Sequence, residues 1–259
     1  MKTTDTNQRA RLEGIILAAG RGTRFGAPGS THIPKALLGG KEGRPLLCES
    51  IHNLAASECF GRFLVVTGHH RSMIDEVLRS MVMPVSLEAV HNPDYRDKGP
   101  LLSLRVAMAR LTPGTPFCVF NGDTWYAPGF FACFKTRMPK ADDVYLLVST
   151  EKNPAADDIK IRLDHEKAVL EASKKIRNDA AGGISSGGLV IGSGAADYFR
   201  RQIEVLSDSP DTWNLPWHSL VQSYSCAGGR VRPLWVPRES WWEIDTLDDH
   251  RELFNSSGT

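Results

Sequence analysis

The sequence predicts an α/β chain folded around a three-layer, doubly wound, mostly parallel sheet. Three observations carry that expectation. Residues 14–19 (Gly-Ile-Ile-Leu-Ala-Ala) form a short β-branched apolar run with no polar alternation, the pattern of a strand buried on both faces of a parallel sheet. Strand-like and helix-like segments then alternate as far as residue 121. Three of the strand-like runs end at Gly20, at Gly68 and at Gly122-Asp123, and the carboxyl ends of such strands are where open α/β sheets hold ligands.

Pro45 suits the first turn of a helix whose Leu46, Leu47, Ile51, Leu54 and Ala55 recur at helical spacing. Residues 62–68 read as a second buried strand. The next helix is expected to be capped by Ser72, with Met73, Ile74, Val77, Leu78 and Met81 as its apolar stripe. Residues 85–90 make a third strand. Pro100 opens a helix presenting Leu101, Leu104, Met108 and Leu111, and residues 117–120 are a fourth strand. Beyond Asp142-Asp143 the texture changes. Residues 144–148, 159–163, 169–172 and 188–191 read as strands between polar turns. A helix over 195–206, a Trp-rich stretch, a strand over 231–236 and a last helix around 247–254 follow. This half is expected to add a mixed-sheet extension and a lid. Residues 1–12 are expected to be a flexible tail and residues 13–259 a single domain.

Hydrophobic residues make up 41% of the chain and charged ones 24%, enough apolar material for a core of ordinary size. A net charge of +1 leaves no bulk field for nucleic acid or an anionic membrane, so any anion site must be local. The five cysteines are odd in number, scattered and free of any Cys-x-x-Cys pair, which fits reduced thiols and a cytoplasmic location. No apolar run approaches the roughly 18 residues of a membrane span.

The first strand runs into Gly20-Arg21-Gly22-Thr23-Arg24, and Pro34-Lys35 follows. Glycines let a backbone come close to a ligand with its amide N–H groups outward, and the cations add charge, as at a polyphosphate site. A dinucleotide fingerprint would need glycine at Phe25, and a Walker A loop would need Ser or Thr at Glu42 after Gly40-Lys41, so neither is present. Asp123 leaves a buried strand toward the same crevice, and Asp245 stands in Glu243-Ile244-Asp245 before the last helix. Carboxylates of this kind suit Mg²⁺. A turn bond for Asp123 and a helix cap for Asp245 are the local alternatives.

Leu17-Ala18-Ala19-Gly20-x-Gly22-x-Arg24 followed by Pro34-Lys35 resembles the signature of the nucleotidyltransferase superfamily, the sugar-phosphate nucleotidyltransferase-like proteins with a Rossmann-like sheet. With Asn92-Pro93-Asp94-Tyr95, Ser103-Leu104, Trp217 and Glu243-Ile244-Asp245, the chain is most similar to the phosphocholine and phosphonate cytidylyltransferases, over residues 14–254. It departs from that pattern in a longer stretch from Gly26 to His32 and in Asp97-Lys98-Gly99-Pro100, where amides are expected.

The resemblance implies Mg²⁺-dependent transfer of CMP from CTP, or another NTP, to a small phosphorylated or phosphonate acceptor, with release of pyrophosphate. Phosphocholine, phosphoethanolamine and aminoethylphosphonate are the acceptor types it implies. Residues 13–140 would form the nucleotide-binding half and residues 141–259 the acceptor-binding half. Leu17, Ala18, Ala19, Gly20, Arg21, Gly22, Thr23 and Gly122 would hold the nucleotide, with Gly68, Gly99 and Ser103 near its base. Arg24 and Lys35 would lie on the phosphates, and Asp123 and Asp245 on the metal. Trp125, Lys160, Trp217 and Glu243 would face the acceptor. Trp125, Trp213, Trp217, Trp241 and Trp242 concentrate indole near these segments, and aromatic faces can hold an alkylammonium group. No nucleic acid or membrane partner is implied, and a homodimer is left open.

The nearest rival is a sugar-1-phosphate nucleotidyltransferase using UTP, dTTP or GTP. A non-catalytic nucleotide-sensing module is a second. Gly183-Ile184-Ser185-Ser186-Gly187 also matches a hydrolase elbow with Asp245 and His250 after it, but the elbow needs a helix where residues 188–191 read as a strand. Adjacent His69 and His70 would point apart on a strand end, which argues against a metal pair.

Overall fold

The apolar run near the start of the sequence becomes the middle of the sheet. A computed structural model describes residues 11–22, 33–136, 138–151 and 153–255. The first half runs β1 (Leu12–Ala18), α1 (Leu46–Ala55), β2 (Phe60–Thr67), α2 (Arg71–Ser80), β3 (Ser86–His91), α3 (Pro100–Met108), β4 (Phe117–Asn121), β5 (Thr124–Tyr126) and α4 (Cys133–Thr136). The second runs β6 (Val144–Ser149), β7 (Lys160–Leu163), β8 (Val169–Ser173), β9 (Gly183–Ile191), α5 (Ala196–Asp208), α6 (Ser219–Cys226), β10 (Val231–Trp235), β11 (Trp241–Glu243) and α7 (Leu247–Asn255).

Nine strands form one sheet in the order β10-β6-β9-β4-β1-β2-β3, with β7 and β8 as a hairpin beside β9. Pairs from β4 through β1 and β2 to β3 are parallel, whereas β9 is antiparallel to both β4 and β6. The sheet is therefore mostly parallel with a mixed extension, and it runs through both halves of the sequence. From β1 the chain builds outward to β3 and then returns to β4 on the other side of β1. That reversal makes the crevice between the ends of β1 and β4 a topological switch point, the usual ligand position in such sheets.

Alternation along the strands builds two cores. Ile15 packs with α3, α5 and α6 through Leu104, Phe199 and Leu220, and its neighbour Ile16 packs with α1 and α2 through Ile51 and Ile74. These are the outer layers of a three-layer fold. All nine residues of β9 are buried, which explains its apolar run.

Two sequence expectations change, and a third is borne out with an earlier strand start. Leu12, assigned to a tail, is buried in β1 and donates its amide N–H to Cys59 O at 2.9 Å, because pairing with β2 begins two residues before the apolar run. Residues 1–10 lie outside the described residues. α2 starts at Arg71 rather than behind a Ser72 cap; His70 precedes it in a left-handed conformation (φ 53°) without a side-chain cap. β9 begins at Gly183, so the Gly-x-Ser-x-Gly stretch lies within a strand and makes no elbow. The β5–β11 ribbon and α6 have no counterpart in the sequence reading. Among the described residues no helix is long and apolar enough to cross a membrane.

Candidate active site

Two strand ends touch at the switch point. β1 turns through Gly20 and Gly22, β4 turns through Gly122, and Gly122 N–H donates to Leu17 O at 3.1 Å. A Cβ on Gly122 would lie 2.5 Å from that carbonyl, so only glycine fits. We expect Gly122→Ala to push Asp123 away from the β1 turn and lower turnover about 10²-fold, read as pyrophosphate release.

Lys35 enters from the turn after Pro34. Its Nζ donates to Asp245 Oδ1 at 2.8 Å and to Asp123 Oδ2 at 3.2 Å. Burial alone would lower the Lys35 ammonium, but the two carboxylates outweigh it and hold its pKa above the ordinary value.

The far end of the sequence reaches this place through the β5–β11 ribbon. Glu243 pairs with Thr124, and Ile244 N–H donates to Asp123 O at 2.9 Å, which ties the Glu-Ile-Asp triplet to the end of β4. The capping work at α7 falls to Asp249, whose Oδ2 accepts from Asp245 N–H and Thr246 N–H, while Thr246 Oγ1 accepts from Asp249 N–H. Asp245 is thereby relieved of the cap role, and its carboxylate meets Lys35.

Carboxylate oxygens of Asp123, Glu243 and Asp245 all lie within 4.8 Å of one another. Burial, then the charges of Asp123 and Asp245, push the Glu243 carboxyl up to about 8. Three oxygen donors brought together at this cost suit a hard divalent cation, which would supply the missing positive charge.

Two connected hollows border the group. One, of about 190 Å³, is lined by Leu17, Ala18, Gly20 and Gly22 with Lys35, Gly122 and Asp123. The other, of about 360 Å³, extends from Ala19, Gly20 and Asp123 past Tyr95, Gly99 and Ser103 to Lys174, Trp217, His218 and Glu243. Arg21 faces a small adjoining recess with His69 and His70.

A family model for the MobA-like NTP transferase domain matches residues 14–253. The chain belongs to this family. The MobA-like domain is a nucleotidyltransferase, and the strand ends and acidic group described above lie inside the matched span. A CMP-5'-(3-aminopropyl)phosphonate synthase of Streptomyces rubellomurinus is 31% identical over 127 residues, 49% of this chain and 19% of that much longer protein. Among solved structures, the inositol-1-phosphate CTP transferase from T. maritima has a TM-score of 0.75 at 19% identity, covering 97% of this chain and 99% of its own. The CTP:phosphocholine cytidylyltransferase from Streptococcus pneumoniae has a TM-score of 0.75 at 21% identity, covering 95% and 99%. At these identities the likeness establishes the α/β nucleotidyltransferase fold.

Within this MobA-like domain most residues singled out from the sequence converge. Gly68 supports the β1 turn from below, with Ala19 O 2.8 Å from where its Cβ would be. Ser103 Oγ accepts from Asn92 Nδ2 at 2.9 Å at the wall of the larger hollow. Thr23 and Arg24 lie outside the described residues.

Two residues do not converge. Trp125 is buried beside Leu46, Ile244 and Leu253, and its Nε1 donates to Glu49 Oε2 at 3.0 Å. It alternates with Thr124, so it occupies the ribbon face opposite to Glu243. Trp125→Phe should therefore cost about 1–3 kcal/mol of stability, by leaving Glu49 short of a donor, while kcat/KM stays unchanged. Lys160 is buried in β7 with Nζ donating to Ala155 O at 3.2 Å; Lys174, just past β8, lines the hollow instead. Glu243, read as an acceptor contact, also joins the acidic group. Sequence reasoning missed Lys174 and His218, which carry no motif of their own. His218 Nε2 lies 3.0 Å from Ser185 Oγ, whereas His250 Nε2 meets Gly39 O, so the hydrolase order Ser185-Asp245-His250 is not assembled.

Proposed function

We propose that this nucleotidyltransferase is a Mg²⁺-dependent cytidylyltransferase, moving CMP from CTP to a small phosphorylated or phosphonate acceptor and releasing pyrophosphate. The observation that carries the reading is the meeting of Lys35, Asp123, Glu243 and Asp245 at the end of the glycine turn. CTP is favoured over other nucleotides because the Streptomyces relative and two of the solved neighbours are named for cytidylyl chemistry, while neighbours named for thymidylyl and UDP-glucose chemistry keep the sugar-nucleotide alternative.

In this scheme an acceptor oxygen attacks the α-phosphorus, the new P–O bond forms, and the bond to the bridging oxygen of pyrophosphate breaks. The protein's task is positioning and charge neutralisation. Backbone around Ala18–Gly22 approaches the phosphates, Lys35 and Arg21 offset charge on the departing pyrophosphate, and Arg24 would join them. Asp123, Glu243 and Asp245 would hold Mg²⁺, which supplies further neutralisation of phosphate charge. Gly99 and Ser103 lie on the base side, and Trp217 with Glu243 on the acceptor side.

The test is pyrophosphate release with CTP, UTP, dTTP, GTP and ATP against phosphocholine, phosphoethanolamine, 2-aminoethylphosphonate and glucose 1-phosphate, with Mg²⁺. CTP with a phosphoester or phosphonate should give the highest rate. Preference for UTP, dTTP or GTP with the sugar phosphate would place the chain with the sugar-nucleotide enzymes.

A further inference from the structure

We infer that the acceptor's tail, beyond its phosphoryl group, carries no positive charge, and that Lys174 with His218 sets this specificity. The inference rests on the cytidylyltransferase reading and narrows its acceptor to phosphonates or phosphate esters ending in a hydroxyl or carboxylate.

The indoles are the first observation. An ammonium needs an aromatic face that nothing else occupies. Four of the five tryptophans of the indole-rich segments already carry the protein's own cations. Lys41 lies 4.8 Å from the Trp125 ring, Lys98 4.9 Å from Trp213, and Arg238 4.5 and 5.4 Å from Trp241 and Trp242. Only Trp217, among these five, faces the larger hollow without such a partner. It stacks on His218 at 3.6 Å and 21° between rings, and its Nε1 donates to Asn121 Oδ1 at 2.9 Å.

Charge is the second. Among the described residues, the carboxylates lining that hollow are Asp123 and Glu243, and both belong to the acidic group proposed for the metal. Lysines line the same hollow: Lys98, which pairs with Asp94 and lies over Trp213, and Lys174, close enough to act on both Glu243 and His218.

His218 completes the wall as a neutral group. Its Nε2 lies 3.0 Å from Ser185 Oγ, which also accepts from Gly187 N–H at 3.2 Å. Burial, with Lys174 nearby, lowers the imidazole to about 3, so it stays an uncharged polar group at neutral pH. A lysine beside a neutral imidazole matches a hydroxyl or carboxylate and repels an ammonium.

Three phosphonates of similar size test this with Mg²⁺ and CTP: 2-hydroxyethylphosphonate, 3-phosphonopropionate and 2-aminoethylphosphonate. The first two should exceed the amine in kcat/KM by about tenfold or more. Lys174→Glu, a change at an exposed turn, should reverse the order, chiefly through KM, by weakening the carboxylate and improving the amine. An amine preference in the unmodified protein overturns the inference, as does an order unchanged by Lys174→Glu. Should neither these three nor the phosphate esters of the acceptor panel release pyrophosphate from CTP, the cytidylyltransferase reading fails by itself. The order of binding, read from ³¹P line broadening of each phosphonate with the protein, its Lys174→Glu variant and Mg²⁺, then decides the tail question separately by the same criteria.

Discussion

Asp245→Ala is expected to cut pyrophosphate release from CTP by about 10³-fold while the protein stays folded. Loss of a ligand to the proposed Mg²⁺ would forfeit several kcal/mol of phosphate-charge stabilisation, and roughly 4 kcal/mol corresponds to that factor. The fold should tolerate the change because the cap of α7 rests on Asp249 and Thr246, with Asp245 contributing its main-chain N–H. Asp123→Ala should behave alike, since Asp123 reaches the same ammonium from the other strand end. The two carboxylates act as one unit, so the double variant should lose little beyond either single one. Mn²⁺ titration followed by electron paramagnetic resonance gives a readout independent of turnover, and each variant should lose high-affinity binding. Normal turnover in either variant would remove the metal assignment from that residue.

The sequence made the sheet legible because burial on both faces leaves apolar β-branched runs, and residues 14–19, 62–68 and 117–120 are such runs. Asp123 was legible for a related reason, since it follows a strand whose carboxyl end an open α/β sheet turns toward the crevice; Asp245 follows β11 in the separate β5–β11 ribbon, and its meeting with Asp123 was implied by the resemblance alone. What stayed hidden was the direction of side chains in short elements. β5 and β11 have three residues each, too few for alternation to show that Glu243 and Trp125 occupy opposite faces. A tryptophan in a sequence likewise gives no sign of whether its face is taken, and here Lys41, Lys98 and Arg238 take four of them. Lys160 looked suitable on an alternating strand face, yet the backbone carbonyl of Ala155 claims it. Lys174 sits in a polar turn that resembles any solvated loop until the β7–β8 hairpin folds against the hollow.

Lys35→Met should move two measurements in opposite directions. Turnover should fall about 10²–10³-fold, because a donor aimed at charge developing on the leaving group is lost. Divalent binding without nucleotide should tighten. The Lys35 ammonium stands between Asp123 and Asp245, so a cation arriving among the three carboxylates competes with it for the same oxygens. Without that ammonium the carboxylates repel one another, and the metal-free protein should lose about 1–3 kcal/mol, a modest figure because Asp123 is 36% exposed and partly screened. Mg²⁺ would restore that loss, so its thermal shift should be larger in Lys35→Met than in the unmodified chain. A lysine that only met the phosphates of a bound nucleotide would leave the Mg²⁺ shift unchanged. The size of that shift therefore separates a residue that holds the acidic group together before the metal arrives from one that acts only afterwards.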